Sequence, residues 1–174
     1  MAAARLIPVS EYLATTYHPD REYVDGELVE RNVGEFNHSR PQTRLAALFI
    51  VRETDWNIRV VVEQRIQGKP TRFRIPDVCV VLANTEVEQI YRRPPFLCVE
   101  ILSKDDTMTQ IQEKIDDYFQ MGVAHVWVID PRTRRGYQYT AEGMREAKDG
   151  VMRTSNPELA VPLSQVLEQG AISS

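Results

Sequence analysis

The segment Phe96-Leu97-Cys98-Val99-Glu100-Ile101-Leu102 is apolar apart from a single carboxylate, and it restricts the fold more than any other stretch. It is short and rich in β-formers, with Pro94-Pro95 before it and Ser103-Lys104-Asp105-Asp106 after it, so it predicts a mostly buried strand. Glutamate is depleted in strands and is rarely buried without a partner. Taking an ionised carboxylate out of water costs several kcal/mol even after relaxation. A chain that places Glu100 there must supply a compensating cation, a metal ion or a shared proton.

A second carboxylate stands in a similar position upstream. Arg74-Ile75-Pro76-Asp77-Val78-Cys79-Val80-Val81-Leu82 predicts another apolar strand, with Asp77 at its start behind a proline that cannot donate to a sheet ladder. If the two strands are antiparallel neighbours joined by residues 83–95, Asp77 lies beside Glu100 and Cys79 faces Cys98 on the same side of the sheet. Two adjacent carboxylates repel unless a cation neutralises them. Mg²⁺ takes oxygen ligands, commonly one or two carboxylates with water and substrate phosphate, so the pair points to phosphate chemistry. Two simpler readings stand beside this one: Asp77 as turn chemistry at a strand entrance, and Glu100 paired with a core Arg or Lys.

Composition narrows the function classes. A chain of 174 residues predicts a single domain over residues 1–174 with one full core. No stretch approaches the roughly 20 apolar residues of a membrane-spanning helix. Met1-Ala2-Ala3-Ala4-Arg5 lacks the apolar core of a signal peptide, so the expectation is a soluble, cytoplasmic protein. The two cysteines fall in predicted core strands and read as reduced, and no Cys or His spacing suits zinc. A net charge of −4 argues against a coat protein that binds nucleic acid by bulk electrostatics, though not against an enzyme that acts on it. Basic residues gather in three places: Arg65, Lys69, Arg72 and Arg74; Arg92-Arg93; and Arg132, Arg134 and Arg135.

Periodicity gives the element order. Ser10–Thr16 predicts a short amphipathic helix with Ser10 as N-cap, and Asp25-Gly26 between β-prone flanks predicts a hairpin over Glu22–Glu30. A helix follows over His38–Thr54, with Leu45, Leu48 and Phe49 inward and Pro41 in its first turn. Strands are expected at Ile58–Ile66, with Ile58, Val60, Val62 and Ile66 on one face, then at Phe73–Leu82 and Phe96–Leu102, the first two linked through Gly68-Lys69-Pro70. Thr107 and Gln110 form a capping box for a helix with Met108, Ile111, Ile115, Tyr118 and Phe119 on one face, stopped by Gly122. Val123–Asp130 and Gly136–Thr140 predict strands, Met144–Thr154 an irregular or hairpin region, and Pro162–Gln169 a last helix. The class is α/β or α+β: a mixed sheet that begins as an antiparallel meander, with helices packed on it.

Attack on phosphorus is helped by a cation near the developing charge. Lys114, between Ile111 and Tyr118 on the border of the apolar stripe, can run its stem along the sheet towards the carboxylates. Lys104, four residues after Glu100, is its rival, and pairing with Glu113 or Asp117 is the bland alternative for Lys114.

Pro76-Asp77 with Glu100-Ile101-Leu102 resembles the signature of the PD-(D/E)xK restriction-endonuclease-like superfamily, whose core has the order αβββαβ. That signature carries a lysine where Leu102 stands here. From about Leu6 to Leu167 the chain is similar to the Uma-two family within that superfamily. The shared segments include Glu22-Tyr23-Val24-Asp25-Gly26-Glu27-Leu28, His38, Ile75-Pro76-Asp77-Val78, Val99-Glu100-Ile101-Leu102-Ser103, Lys114 with Tyr118, Gly122-Val123 and Trp127-Val128-Ile129-Asp130-Pro131. In that family the lysine has moved to the following helix, where Lys114 stands. The resemblance implies Asp77 and Glu100 as ligands of Mg²⁺ or Mn²⁺, Lys114 as the charge-stabilising cation, and Glu22, Glu27 and His38 as accessory residues. It implies an endonuclease hydrolysing DNA. The departure at Leu102 keeps a second reading open, an inactive module that retains the fold to bind nucleic acid or protein. A homodimer whose two sites cut opposite strands is a third.

Overall fold

The computed structural model describes residues 6–167. The signal-peptide argument on Met1–Arg5 and the end of the helix expected up to Gln169 lie outside them. Its elements are α1 (Val9–Ala14), β1 (Glu22–Val24), β2 (Glu27–Val29), α2 (Phe36–Ile50), α3 (Glu53–Trp56), β3 (Ile58–Val62), β4 (Ile66–Lys69), β5 (Arg72–Arg74) and β6 (Val78–Leu82). They continue with β7 (Leu97–Ile101), α4 (Met108–Met121), β8 (His125–Asp130), β9 (Arg135–Thr140), β10 (Gly143–Glu146), β11 (Val151–Arg153), β12 (Ala160–Pro162) and α5 (Leu163–Val166).

The main sheet has the order β10-β9-β8-β7-β6-β3 and is mixed. β3, β6 and β7 form the expected antiparallel meander, with Cys79 opposite Cys98, while β7 and β8 run parallel on either side of α4 in sequence. Side-chain alternation divides the sheet between two layers. Trp127 and Ile129 join Leu45 and Phe49 of α2 and Leu163 and Val166 of α5 in one core; Val126 and Val128 join Ile111, Ile115 and Tyr118 of α4 in the other. The capping box forms as read, with Thr107 accepting from the Gln110 amide, and Gly122 ends α4 at φ 99°, where a side chain would be strained.

The long strands expected at Ile58–Ile66 and Phe73–Leu82 are each broken in two. β4 and β5 leave the main sheet and join the hairpin in a second sheet of order β2-β1-β5-β4. The physical reason for the second break is Pro76, which has no N–H to donate, so the ladder stops at Arg74 and resumes at Val78. Val62 shares the face of Ile58 and Val60 as expected but is exposed at the end of β3, whereas Ile66 is buried in the opposite, α4 layer. Met108, expected inward, is also exposed. Ser10 is not a cap: α1 follows Pro8 and has no side-chain cap. Met144–Thr154 contributes β10 to the main sheet and β11 to a two-stranded pair with β12. No helix among the described residues is long and apolar enough to cross a membrane.

The second sheet positions the site because its two faces differ in kind. Tyr23 lies opposite Phe73, and these rings meet Tyr12 of α1 in a small aromatic core. The alternate residues, Glu22, Arg72 and Arg74, therefore point the other way, towards α4. Asp25, at φ 50°, and Gly26, at φ 102°, make the turn that sets this register. Phe73→Ala is predicted to cost about 3–5 kcal/mol, read as a lower chemical-denaturation midpoint. An unchanged midpoint would show that the aromatic core does not hold the small sheet.

Candidate active site

Five elements, β1, α2, β6, β7 and α4, bring carboxylates and cations to the end of the main sheet. The β6–β7 ladder ends at Val78 opposite Val99, which leaves Asp77 level with Glu100. In place of a further ladder bond, the Asp77 carboxylate accepts from the Ile101 amide at 2.7 Å. The same oxygen lies 3.1 Å from His38 Nε2 of α2, and the other lies 3.3 Å from Arg31 Nη2. The simpler reading of Asp77 thus holds in part: it closes the sheet end as well as carrying charge.

Glu100 is 3 % exposed, and its compensating partner is a lysine. Lys114 Nζ lies 3.0 Å from Glu100 Oε2 and 3.3 Å from Glu22 Oε1, while the Tyr118 hydroxyl donates a very short hydrogen bond to Glu100 Oε1. Lys114 and Tyr118 are one turn apart on α4, so one helix face delivers both. Glu22 is fixed in turn: it accepts from the Ile75 amide at 2.9 Å and from Arg74 Nη1 at 2.9 Å. Arg74 and Arg72 both clamp Asp117 at 2.7 Å, and Arg72 reaches Asp25 at the hairpin turn. A continuous chain of ion pairs therefore runs from Glu100 to the Asp25-Gly26 turn, buried as far as Asp117 and emerging to solvent through Arg72.

Asp77, Glu100, Lys114, Glu22 and His38 converge as the sequence led us to expect. Two candidates do not. Glu27 is exposed at the hairpin end. Lys104 is solvent-facing and bonds Glu35 at 2.6 Å, because the loop after β7 carries it away from the sheet that buries Glu100. The bland pairing of Lys114 with Asp117 also fails, since Asp117 is taken by Arg72 and Arg74. Tyr118 and Arg31 were not foreseen as site residues. Tyr118 had a signal, being one turn from Lys114 on a face that meets a buried glutamate; Arg31, in a stretch without secondary structure, had none.

The two carboxylates are poised differently. Burial alone would raise the Asp77 pKa, but the hydrogen bond and charge of His38, the charge of Lys114 and the Ile101 amide outweigh it and hold Asp77 below the usual range. Burial pushes Glu100 up to about 7; Lys114 opposes this, and the charges of Asp77 and Glu22 add to it. Burial also works against the Lys114 ammonium, but Glu100, Glu22 and Asp77 keep it protonated above its ordinary value. His38 is shifted upwards as well, burial being overcome by Asp77.

Among the described residues no three His, Cys, Asp or Glu side chains cluster as a ready metal cage. The donor set nonetheless suits a hard divalent cation. Mg²⁺ is typically bound through one or two carboxylates, not an all-protein shell. Asp77 Oδ1 and both Glu100 oxygens each have one partner here, which leaves acceptor capacity on each.

Comparison with known proteins supplies a context for this geometry. The model of the Uma2 family, described as "Putative restriction endonuclease", matches residues 9–170. A solved structure described as a putative nuclease belonging to DUF820 from Anabaena variabilis superposes with a TM-score of 0.78. The match covers 92 % of this chain and 97 % of that one at 21 % identity, and it bears out the expected restriction-endonuclease-like fold. No curated protein matches the chain.

The opposite pKa shifts predict opposite stability effects. Glu100 ionises at about 7 when folded against an ordinary 4.5, so its charge costs stability progressively as pH rises through that window and fully above it. Glu100→Gln should therefore abolish the fall in stability that the ion-free protein shows between about pH 4.5 and 8, while at every pH it also weakens the pairing of Lys114. Asp77, with its pKa lowered, contributes stability above the ordinary carboxylate range that is lost as pH falls through its folded value. Asp77→Asn should cost about 3–5 kcal/mol at pH 8. Thermal melts of both variants across pH check this, and a Glu100→Gln protein that loses as much stability as wild type between pH 5 and 8 would refute it.

Proposed function

Because the chain belongs to the Uma2 family, we propose that it is a single-domain, Mg²⁺- or Mn²⁺-dependent endonuclease that hydrolyses phosphodiester bonds of DNA. The observation that carries this reading is the meeting of Asp77, Glu100 and Lys114 at one sheet end, with Lys114 Nζ 3.0 Å from Glu100. Asp77 and Glu100 would hold the ion, with water and substrate phosphate filling the rest of its shell. A bound ion supplies Lewis acidity and a water of lowered pKa.

The protein's own groups do the remaining work. Tyr118 fixes one oxygen of Glu100, and the Ile101 amide and His38 fix one oxygen of Asp77, so both carboxylates are oriented before anything binds. Lys114 is held protonated, so in the ion-free protein it is no general base at neutral pH. Its part is electrostatic: a preorganised ammonium beside the place where charge grows on the phosphoryl oxygens. Glu22 keeps it there, and Arg74 keeps Glu22. In this arrangement the helix lysine takes over the work that Leu102, an alkyl side chain, cannot do.

The reading as an inactive binding module rests on Leu102 and on free basic loops. Of the arginines it needs, Arg72 is held by Asp25 and Asp117, while Arg92 is exposed, 3.9 Å from Glu88. The nuclease reading is preferred because it accounts for the buried Asp77, Glu100 and Lys114, which a surface binding module leaves without a role. It assigns the protein to the cytoplasm, where its substrate lies, and assigns double-strand cutting to a homodimer with one site in each copy.

A plasmid-nicking assay tests the proposal. Cleavage should require Mg²⁺ or Mn²⁺ and fall by about 100-fold or more in Asp77→Ala, Glu100→Ala and Lys114→Ala, with circular dichroism unchanged. Cleavage that survives EDTA, or wild-type rates in Glu100→Ala, would overturn it.

A further inference from the structure

Arg31 differs from Arg72 and Arg74, the arginines behind Glu22, in how loosely its carboxylate partners hold it. Arg74 and Arg72 meet their carboxylates at 2.7–2.9 Å, the range of charge-assisted hydrogen bonds. Arg31 stands 3.3 Å from Asp77 and 3.7 Å from Glu63, with a side chain only 4 % exposed. A guanidinium carries five donors in a planar fork suited to two oxygens of one phosphate. Here it makes one long hydrogen bond to Asp77.

Asp77 does not depend on Arg31 for its place. Its other oxygen already takes the Ile101 amide at 2.7 Å and His38 at 3.1 Å. Glu63, the second partner, is half-exposed and loses little by returning to water. Arg31 is nevertheless brought to this point deliberately by the chain. The segment that carries it, between β2 and α2, is hooked to the loop that follows Glu100: Asn32 donates to Asp106 at 2.8 Å, and Glu35 meets Lys104 at 2.6 Å. The result is a buried cation at the two-carboxylate site whose present contacts leave most of its donors uncommitted.

We propose that Arg31 is the site's ligand for a substrate phosphate: it rests on Asp77 and Glu63 in the free protein and turns its fork to the non-bridging oxygens of a nucleic-acid phosphate when substrate enters. This rests on the nuclease reading and deepens it, because it gives the site a phosphate contact in addition to Lys114. It also separates two kinds of arginine, those that build the ion-pair chain behind Glu22 and the one that faces substrate.

Binding of a fluorescent DNA duplex of about 20 base pairs, followed by anisotropy over a salt series, tests the assignment in Glu100→Gln with and without Arg31→Met. Loss of one phosphate contact should make the slope of log K against log salt shallower by about 0.9. Arg31→Lys, which retains the charge, should keep the steeper slope and guards against a folding defect in the methionine variant. Equal slopes for all three proteins, each shown to be folded by its melt, would overturn the proposal and leave Arg31 a structural counter-ion of Asp77. If wild type cleaves DNA and the slopes are equal, only the Arg31 assignment falls. If wild type cleaves nothing but the slope still depends on Arg31, the nuclease reading falls and the phosphate contact stands. Absence of any duplex binding would overturn both.

Discussion

The rest of this structure depends on the compensation of one buried carboxylate. Glu100 lies in a strand packed on both faces, where ionisation is costly, and it is tolerated because α4 brings an ammonium and a hydroxyl to its two oxygens. That requirement propagates. The Lys114 ammonium needs a second acceptor, which is Glu22; Glu22 needs Arg74; Arg74 needs Asp117. A small sheet that would otherwise be an appendage is therefore fastened to α4 by charge on one face and closed by tyrosines and phenylalanine on the other.

The arrangement is costly for stability in a way that marks a site. Apolar residues of similar volume would pack as well without desolvating so many charges. A fold that keeps four buried acids, Asp77 beside the ion-pair network of Glu22, Glu100 and Asp117, places chemistry above stability there. The two central carboxylates are also not equivalent. Asp77 is held charged by His38, Lys114 and the Ile101 amide, whereas Glu100 is driven towards its neutral form by burial. One is an anchor; the other is the group most responsive to what enters.

Much of this was legible in the chain. The Glu100 anomaly, the antiparallel register that sets Cys79 against Cys98, and the capping box that phases α4 are local signals, and together they bring Asp77, Glu100 and Lys114 to one place. What was not legible was non-local. Pro76 announced a break, but nothing in the local pattern said that β4 and β5 would pair with the hairpin in a separate sheet. Without that sheet nothing in the sequence shows that Arg74 is the buried link between Glu22 and Asp117, or that Arg72 ties Asp117 to Asp25. By count along the chain Lys104 looked closer to Glu100 than Lys114 did, yet strand direction carries it outwards and helix periodicity carries Lys114 inwards. Arg31 reaches the site only through tertiary placement of an irregular segment.

The most direct test of the central claim is anomalous diffraction from crystals soaked in Mn²⁺. A single strong peak within coordination reach of both the Asp77 and Glu100 carboxylates, with the Lys114 ammonium beside it, is the result predicted here. A manganese ion bound elsewhere while the Glu100–Lys114 pair stays closed would contradict it, and would leave the ion-pair chain as architecture alone.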